Sequence, residues 1–274
     1  MSDVPNLSVV LPAFNEEISI ETTLRSIHNW FAAGYEPAKL CEVIVVDDGS
    51  SDRTAEIVKA LVETELGRHI NLKLKRHLEN QGKGFAVRTG MKFASGDFVL
   101  FMDADGEIPI NNLVYFSRML ETNPAQHRVA IGIGGVADAR PLYRRVLSVC
   151  ARTAIALGCQ TGSRDTQRGF KMFTQPSAHV LFGELRSTGW LFDVEVLRRA
   201  YVKGIKLEEV PVVWARTALE RPSSLSLKAI PDGLRELAQI RKFEVPSLTS
   251  RVQQEPDQKA SGDHEQDVQA PNHA

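Results

Sequence analysis

The fold of this chain is indicated most clearly by residues 41–50, which read Cys41-Glu42-Val43-Ile44-Val45-Val46-Asp47-Asp48-Gly49-Ser50. The first six of these residues are rich in β-branched side chains and almost continuously apolar, which is typical of a strand buried on both faces of a parallel sheet. The acids and the glycine that follow indicate a tight turn, and Ser or Asp then caps the next helix. The stretch therefore predicts a strand, a polar loop and a helix in succession.

The same succession recurs on both sides of this stretch. Strands are predicted at residues 7–11, 41–46, 71–74 and 98–102. The first of them is expected to end at Pro12, and Asn15 is expected to cap a helix in which apolar residues recur at helical spacing from Ile20 to Phe31. Alternating strands and helices predict the α/β class, with a mostly parallel central sheet flanked by helices.

Composition limits the kind of protein that this chain forms. Its 274 residues suffice for one sizeable α/β domain, and its 43% hydrophobic and 24% charged residues are ordinary for a globular protein. The formal net charge of -1 argues against a protein whose main role is non-specific electrostatic binding to nucleic acid. Residues 249–274 contain almost no large apolar side chain, and we interpret them as a disordered tail.

The cysteines and the absence of long apolar runs bear on the cell compartment. Cys41, Cys150 and Cys159 are widely spaced and form neither a disulfide framework nor a zinc motif, which favours a reducing cytosol. The first residues carry no secretory signal, and no apolar run reaches the roughly 18 residues of a spanning helix. We therefore expect a cytoplasmic protein, or one attached peripherally to the cytoplasmic face of a membrane.

Three predicted strands carry polar residues at their carboxyl ends, where open parallel sheets bind ligands. Asn15-Glu16 follows the first strand, Asp47-Asp48 the second, and Asp103-Ala104-Asp105 the last. A helix cap is the simpler interpretation of Asp52 and is an alternative for Asp48. Clustered carboxylates repel one another and stay ionised only beside a cation or hydrogen-bond donors, so the pattern indicates that one of these compensates them at this edge.

Asp103 and Asp105 form a short acidic motif suited to a hard divalent cation. Mg²⁺ or Mn²⁺ is commonly held by one or two carboxylates and completed by phosphate oxygens and water. Two acids separated by one residue also occur often by chance. The position of this pair, directly after a buried strand, favours the metal site.

Two glycine-rich stretches indicate phosphate binding with different strength. Gly82-Lys83-Gly84 has the composition of a phosphate loop, although it lacks Walker A spacing, and a flexible turn with an exposed lysine is the alternative. Gly132-x-Gly134-x-x-Ala137 follows an apolar run and is a rival, dinucleotide-binding motif. The rival is disfavoured because no acid ends a strand about 20 residues later and Pro141 interrupts the expected helix.

Taken in order, the motifs resemble those of the family-2 inverting glycosyltransferases. They are Pro12-Ala13-Phe14-Asn15-Glu16, Val45-Val46-Asp47-Asp48-Gly49-Ser50-Ser51-Asp52, Asn80-Gln81-Gly82-Lys83-Gly84 and Asp103-Ala104-Asp105-Gly106. Three later stretches resemble the polyprenyl-phosphate branch of that family, with the dolichyl-phosphate β-glucosyltransferases nearest and the mannosyltransferases next. They are Asp165-Thr166-Gln167-Arg168-Gly169-Phe170, Trp190-Leu191-Phe192-Asp193-Val194-Glu195 and Glu209-Val210-Pro211.

The resemblance implies the GT-A nucleotide-diphospho-sugar fold and a role for each matching residue. It implies one domain over residues 1–248, with a nucleotide-sugar half at 7–120 and an acceptor half at 121–248. In it Asp103 and Asp105 hold Mg²⁺ or Mn²⁺, and Asp165 is the catalytic residue that faces the acceptor. The implied substrate-binding residues at the nucleoside are Pro12, Ala13, Asn15, Glu16 and Asp47. The other implied substrate-binding residues are Gly82, Lys83 near the diphosphate, Ala104, Arg168 and Ser223.

The implied reaction moves a hexose, glucose from UDP-glucose or else mannose from GDP-mannose, to polyprenyl or dolichyl phosphate. Asp165 is then a general base, an acceptor positioner or a brace for Arg168, and Glu195 is structural and pairs with Arg198 or Arg199. Residues 143–157 form either a basic amphipathic helix on anionic lipid or a helix packed on the sheet. Transfer to a glycan or small-molecule hydroxyl, and nucleotide-sugar binding without turnover, are the alternative functions.

Two stretches depart from the pattern of the polyprenyl-phosphate branch. Residues 129–134 lack the Ser and Arg that the branch places after its apolar strand, and Ser223-Ser224-Leu225 lacks the branch's Lys. Both departures fall at positions that contact phosphate in the branch. They are the reason for keeping the hydroxyl acceptor as an alternative.

Overall fold

A seven-stranded sheet organises the protein in a computed structural model that describes residues 4–34, 38–134, 159–163, 165–214 and 236–240. The strand order is β3-β2-β1-β4-β6-β5-β7. The strands are β1 Asn6–Ala13, β2 Lys39–Asp47, β3 Leu72–Arg76, β4 Phe98–Met102, β5 Arg128–Ile133, β6 Phe170–Thr174 and β7 Lys206–Pro211. Strands from both predicted halves of the chain therefore share a single sheet.

Helices cover both faces of this sheet. They are α1 Ile20–Ala32, α2 Thr54–Val62, α3 Glu65–His69, α4 Lys83–Phe93, α5 Ser117–Leu120, α6 Gln175–Gly183 and α7 Phe192–Val202, with a 3-10 helix at Ile110–Phe116. One buried cluster joins α1, α2 and the 3-10 helix to one face of the sheet. A second cluster joins α4, α6 and α7 to the other face. The prediction of a mostly parallel sheet flanked by helices is confirmed.

Most neighbouring strands run parallel, and β6 is the exception. Strand β1 pairs in parallel with β2 and β4, β2 with β3, and β5 with β7, whereas β6 is antiparallel to both β4 and β5. Because β1, β2 and β4 point the same way, their carboxyl ends lie at one edge of the sheet. The polar residues that follow them are thereby brought to the same side of the molecule.

Pro12 does not end the first strand, contrary to the prediction. Strand β1 continues to Ala13, and Pro12 pairs with Val46 of β2. The pairing of β1 with β4 stops at Val10, so Pro12 has a neighbouring strand on one side only. A proline, which lacks a donor N–H, is tolerated at such a position.

The prediction that Asn15 caps α1 is also wrong. The helix begins at Ile20 with Ser19 as its N-cap residue, and Asn15 adopts a positive φ of 55° in the preceding loop. Its side chain binds a different loop, because Asn15 Oδ1 accepts the Ser51 N–H at 2.9 Å. Asn15 therefore joins the loops after β1 and β2.

Asp52, expected to cap α2, lies one residue before the N-cap position, which Arg53 occupies without a side-chain capping hydrogen bond. Asp52 Oδ1 accepts the Thr54 N–H at 2.9 Å at the start of the helix, and Asp52 Oδ2 accepts the Glu17 N–H at 3.0 Å. No helix within the described ranges combines the length and the apolar character that crossing a bilayer requires.

Candidate active site

The acids that follow β2 and β4 lie at the same edge of the sheet, as predicted. Asp47 ends β2 and pairs in register with Ala13 of β1, while Asp103 directly follows β4 on the other side of β1. The Asp48 N–H donates to Ala13 O at 2.8 Å, and the Asp103 N–H donates to Gly169 O at 3.0 Å. Backbone hydrogen bonds thus fix where both acidic loops leave the sheet.

A cavity of about 240 Å³ opens beside Asp103. Its lining includes Lys83, Asp103, Asp105, Arg168, Trp190 and Trp214. The structure thereby brings together three of the predicted site elements, namely the acidic pair, the lysine of the glycine-rich stretch and the arginine of the 165–170 stretch. Asp47 does not line this cavity.

The acidic pair and Lys83 form the electrostatic centre of the cavity. Lys83 Nζ lies 2.7 Å from Asp103 Oδ1. Burial works against the charged lysine, but the neighbouring Asp103 and Asp193 outweigh it and raise the pKa of Lys83. Burial and the charge of Asp103 raise the pKa of Asp105 to about 7. Lys83 alone therefore does not offset the negative charge that both carboxylates would carry when ionised.

Gly169 allows Asp103 to take its position. A Cβ built on Gly169 would stand 1.9 Å from Asp103 Oδ2 and 2.1 Å from Cγ. No side chain larger than hydrogen fits there while Asp103 stays in place. The glycine that follows Arg168 is therefore part of the site, although sequence reasoning assigned it no role.

Asp193 is a further site residue that sequence reasoning missed. It lines the cavity from the first turn of α7, and its carboxylate is 2.8 Å from Lys171 Nζ on β6. Burial raises the pKa of Asp193, and the charges of Lys171 and Lys83 partly offset that effect. Asp193 stands in the 190–195 stretch that resembled the family, which was the only available signal.

Arg168 lies between an acid and an aromatic ring on the cavity wall. Its Nε is 2.8 Å from Asp165 Oδ2, and its guanidinium lies 4.7 Å from the centre of the Trp214 ring. Of the three roles predicted for Asp165, the bond to Arg168 corresponds to the brace. Asp165 itself is not part of the cavity lining.

The glycine-rich stretch contributes a side chain rather than a backbone cradle. Helix α4 already begins at Lys83, and the N–H groups of Gln81 and Gly82 donate to the Asp48 carboxylate at 3.0 and 2.8 Å. The Gly84 N–H donates to Gly189 O at 3.3 Å. Asp48 therefore orders this loop instead of capping a helix, and Gly82 binds Asp48 rather than facing the cavity.

The other predicted nucleoside-binding residues meet beside the loop after β2. The Asn15 N–H donates to Ser50 Oγ at 2.9 Å, and the Glu16 N–H donates to Thr54 Oγ1 at 2.7 Å. Asp47 is fully buried and its Oδ2 lies 3.0 Å from Arg76 Nε. Their contact with a nucleoside stays a prediction.

The remaining predicted residues divide into buried, structural and undescribed ones. Pro12, Ala13 and Ala104 are buried beside the acidic loops. Glu195 is structural as predicted, because its Oε1 lies 2.6 Å from Arg199 Nη2. Ser223, the segment 143–157 and Ala137 of the rival motif lie outside the described residues.

A family model described as Glycosyl transferase family 2 matches residues 8–182. These residues include most of β1, all of β2 to β6, the acidic pair and Arg168. The chain belongs to glycosyltransferase family 2.

Known relatives of this family-2 chain are similar to it over about three quarters of its length. A dolichyl-phosphate beta-glucosyltransferase of Trichomonas vaginalis is 34% identical over 214 residues, covering 76% of this chain and 65% of the relative. The human dolichyl-phosphate beta-glucosyltransferase is 32% identical, covering 78% of this chain and 68% of the relative. The match thus spans about two thirds of these relatives' own length.

A solved structure with a similar fold is glucosyl-3-phosphoglycerate synthase from Mycobacterium tuberculosis in complex with Mn²⁺ and UDP-glucose. It aligns with a TM-score of 0.62 at 19% identity, covering 86% of this chain and 79% of the other. The likeness at this identity concerns the fold. The GT-A fold predicted from the sequence is confirmed.

Proposed function

We propose that this family-2 chain is a metal-dependent, inverting transferase that moves glucose from UDP-glucose to dolichyl or another polyprenyl phosphate. The relatives at 32–34% identity support this acceptor and sugar. The main structural support for the proposal is one cavity whose lining includes Asp103, Asp105 and Lys83. Arg168 lines the same cavity. That cavity offers a cation site and two basic side chains for two phosphorylated substrates.

The acidic pair fits a divalent cation. Both ligands are carboxylates, the oxygen donors that Mg²⁺ and Mn²⁺ prefer. The pKa of Asp105, which burial and Asp103 raise to about 7, marks negative charge that a cation would stabilise. Asp103 and Asp105 would hold the metal, which would supply Lewis-acid stabilisation for the departing diphosphate.

Lys83 provides the second positive charge for the donor. Its raised pKa keeps the ammonium protonated at neutral pH. In the transfer, the bond between the anomeric carbon and the β-phosphate oxygen breaks while an acceptor oxygen forms the new bond from the opposite face. Negative charge grows on the leaving diphosphate, and Lys83 stabilises it by electrostatic attraction.

Arg168 is suited to hold the phosphate of the acceptor. Its guanidinium lines the cavity and is fixed by Asp165 and by the ring of Trp214. A phosphate oxygen is already ionised near neutral pH, so the acceptor needs no general base to remove a proton. Asp165 then acts through Arg168, as the brace among its three predicted roles.

The experiment incubates the purified protein with Mg²⁺ or Mn²⁺, labelled UDP-glucose or GDP-mannose, and a short polyprenyl phosphate. Lipid-soluble label from UDP-glucose that depends on the metal supports the proposal. Water-soluble product indicates a hydroxyl acceptor instead, and tight donor binding without nucleotide release indicates a binding protein. Asp105→Ala is expected to abolish turnover while the protein stays folded, and unchanged turnover would remove the metal assignment.

A further inference from the structure

A short helical segment near the end of the described chain packs beneath a loop of the cavity. Residues 236–240 are helical, and the fully buried Ile240 packs with Cys159, Leu191 and Val194. The Glu236 carboxylate packs against Gly189, because a Cβ built on that glycine would stand 3.1 Å from Glu236 Oε2. The same carboxylate interacts electrostatically with Ser187 and Leu191. All three partners belong to residues 186–191, which we call the Trp190 loop.

A second carboxylate holds the same loop from its other end. Glu195 accepts the Arg186 N–H at 3.1 Å and the Ser187 N–H at 2.7 Å. Glu195 is itself fixed by Arg199. Two buried or half-buried acids, from separate parts of the chain, therefore contact one six-residue loop, and Glu195 binds its backbone directly.

The Trp190 loop in turn holds the start of α4, which carries Lys83. Thr188 O accepts the Phe85 N–H at 3.2 Å, and Gly189 O accepts the Gly84 N–H at 3.3 Å. The Trp190 ring centre lies 5.1 Å from Lys83 Nζ. The loop thus contacts Lys83 through its side chain and through the helix turn that follows it.

We propose that Glu236 is a positioning residue that holds the Trp190 loop and, through it, Lys83 in place for the donor diphosphate. The inference rests on the proposed function for the identity of that diphosphate. Glu236 lies beyond residues 8–182, the part that matches the family model. The segment around Glu236 would thus complete a site whose other charged residues mostly lie within that part.

The test compares Glu236→Ala with Gln239→Ala, an exposed position on the same helical segment. The first readout is amide hydrogen exchange of residues 84–85 and 186–191, which measures the loop independently of any substrate. Exchange is expected to rise in Glu236→Ala and to stay at the wild-type rate in Gln239→Ala. An unchanged rate in Glu236→Ala overturns the proposal.

The second readout is binding of UDP and of uridine in the presence of Mn²⁺. Glu236→Ala is expected to weaken the affinity for UDP about tenfold, the usual effect of losing one well-placed charged hydrogen bond, and to leave that for uridine within about twofold. Equal weakening of both ligands overturns the proposal, because Lys83 would then not be the group affected. Glu236→Gln, which keeps an acceptor oxygen, is expected to recover part of the affinity.

Ser187→Ala serves as the second route if Glu236→Ala fails to fold. It removes one partner of Glu236 and is expected to raise loop exchange and weaken UDP binding in the same direction. Its effect in the Glu236→Gln background should be smaller than in the wild type, since both changes act on one contact. Fully additive effects of Ser187→Ala and Glu236→Gln contradict the proposal. A wild-type protein that binds UDP but transfers no glucose contradicts the proposed function alone.

Discussion

Replacing Gly169 by alanine is the sharpest perturbation that the site offers. The new Cβ would stand 1.9 Å from Asp103 Oδ2, so one of the two groups must move by at least about 1 Å. The backbone at this point is tied, because Gly169 O accepts the Asp103 N–H and the adjacent Phe170 pairs with Met102. The Asp103 carboxylate is therefore the part that swings away.

The expected cost follows from that displacement. Crowding a packed site destabilises a protein by about 1–3 kcal/mol, which leaves a fold of this size intact. A misplacement of about 1 Å at reacting groups lowers kcat/KM by about a hundredfold, and a misoriented ligand weakens metal affinity about ten- to a hundredfold. Gly169→Ala should thus lose Mn²⁺ affinity and turnover while it still unfolds cooperatively.

Three measurements test this prediction: Mn²⁺ affinity from a titration monitored by electron paramagnetic resonance, the kinetics of transfer, and thermal unfolding. Gly183→Ala is the matched control, because a Cβ at Gly183 meets no atom within 4 Å. The control should match the wild type in all three measurements. Wild-type Mn²⁺ affinity in Gly169→Ala would contradict this prediction, because Asp103 would then bind no metal or would not be displaced.

Three further predictions concern charge and capping. Because burial and Asp103 raise the pKa of Asp105 from its ordinary 3.8 to about 7, the folded metal-free protein holds a proton that the unfolded chain releases between those pH values. The contribution of Asp105 to stability therefore falls as pH rises through this window. In the presence of a chelator, the melting temperature of Asp105→Asn should exceed that of the wild type by a margin that grows from pH 4 to pH 8. A margin that stays constant over this range would contradict the prediction. Lys171→Met should lower the free energy of unfolding in urea by about 3–5 kcal/mol, because it leaves the buried Asp193 without its 2.8 Å partner. A decrease below about 1 kcal/mol would show that Lys83 compensates for the lost charge. Asp52→Ala should cost about 1 kcal/mol by removing the acceptor of the Thr54 N–H, with unchanged kcat, and a fall in kcat would assign Asp52 to the site.

The strands and the sheet edge could be predicted from local sequence alone. The apolar runs before Asp47 and Asp103 marked buried parallel strands, and the acids after them marked the ligand-binding edge. Both inferences depend on the alternation of strand and helix, which a short window of sequence already contains. The element ends were less secure, because Pro12 continues β1 where only one neighbouring strand is present.

The contacts that complete the site join residues far apart in the chain. Lys83 meets Asp103, Asp193 meets Lys171, and the carbonyls of the Trp190 loop receive the first N–H groups of α4. No periodicity or spacing in the sequence connects these residues. Their pairing depends on how α4, α7 and β6 pack around the end of β4.

Local sequence was sufficient to infer the order of strands and helices, the polar residues at the strand ends and membership of a glycosyltransferase family. Hydrophobic periodicity and short motifs are local properties, so they survive without coordinates. The three-dimensional structure was needed to show that Asp103 packs against Gly169, that Lys83 is its ion partner and that Glu236 lies against the loop beside them. The physical reason is that burial and the interaction of charges depend on distance in space, which packing sets and sequence separation does not.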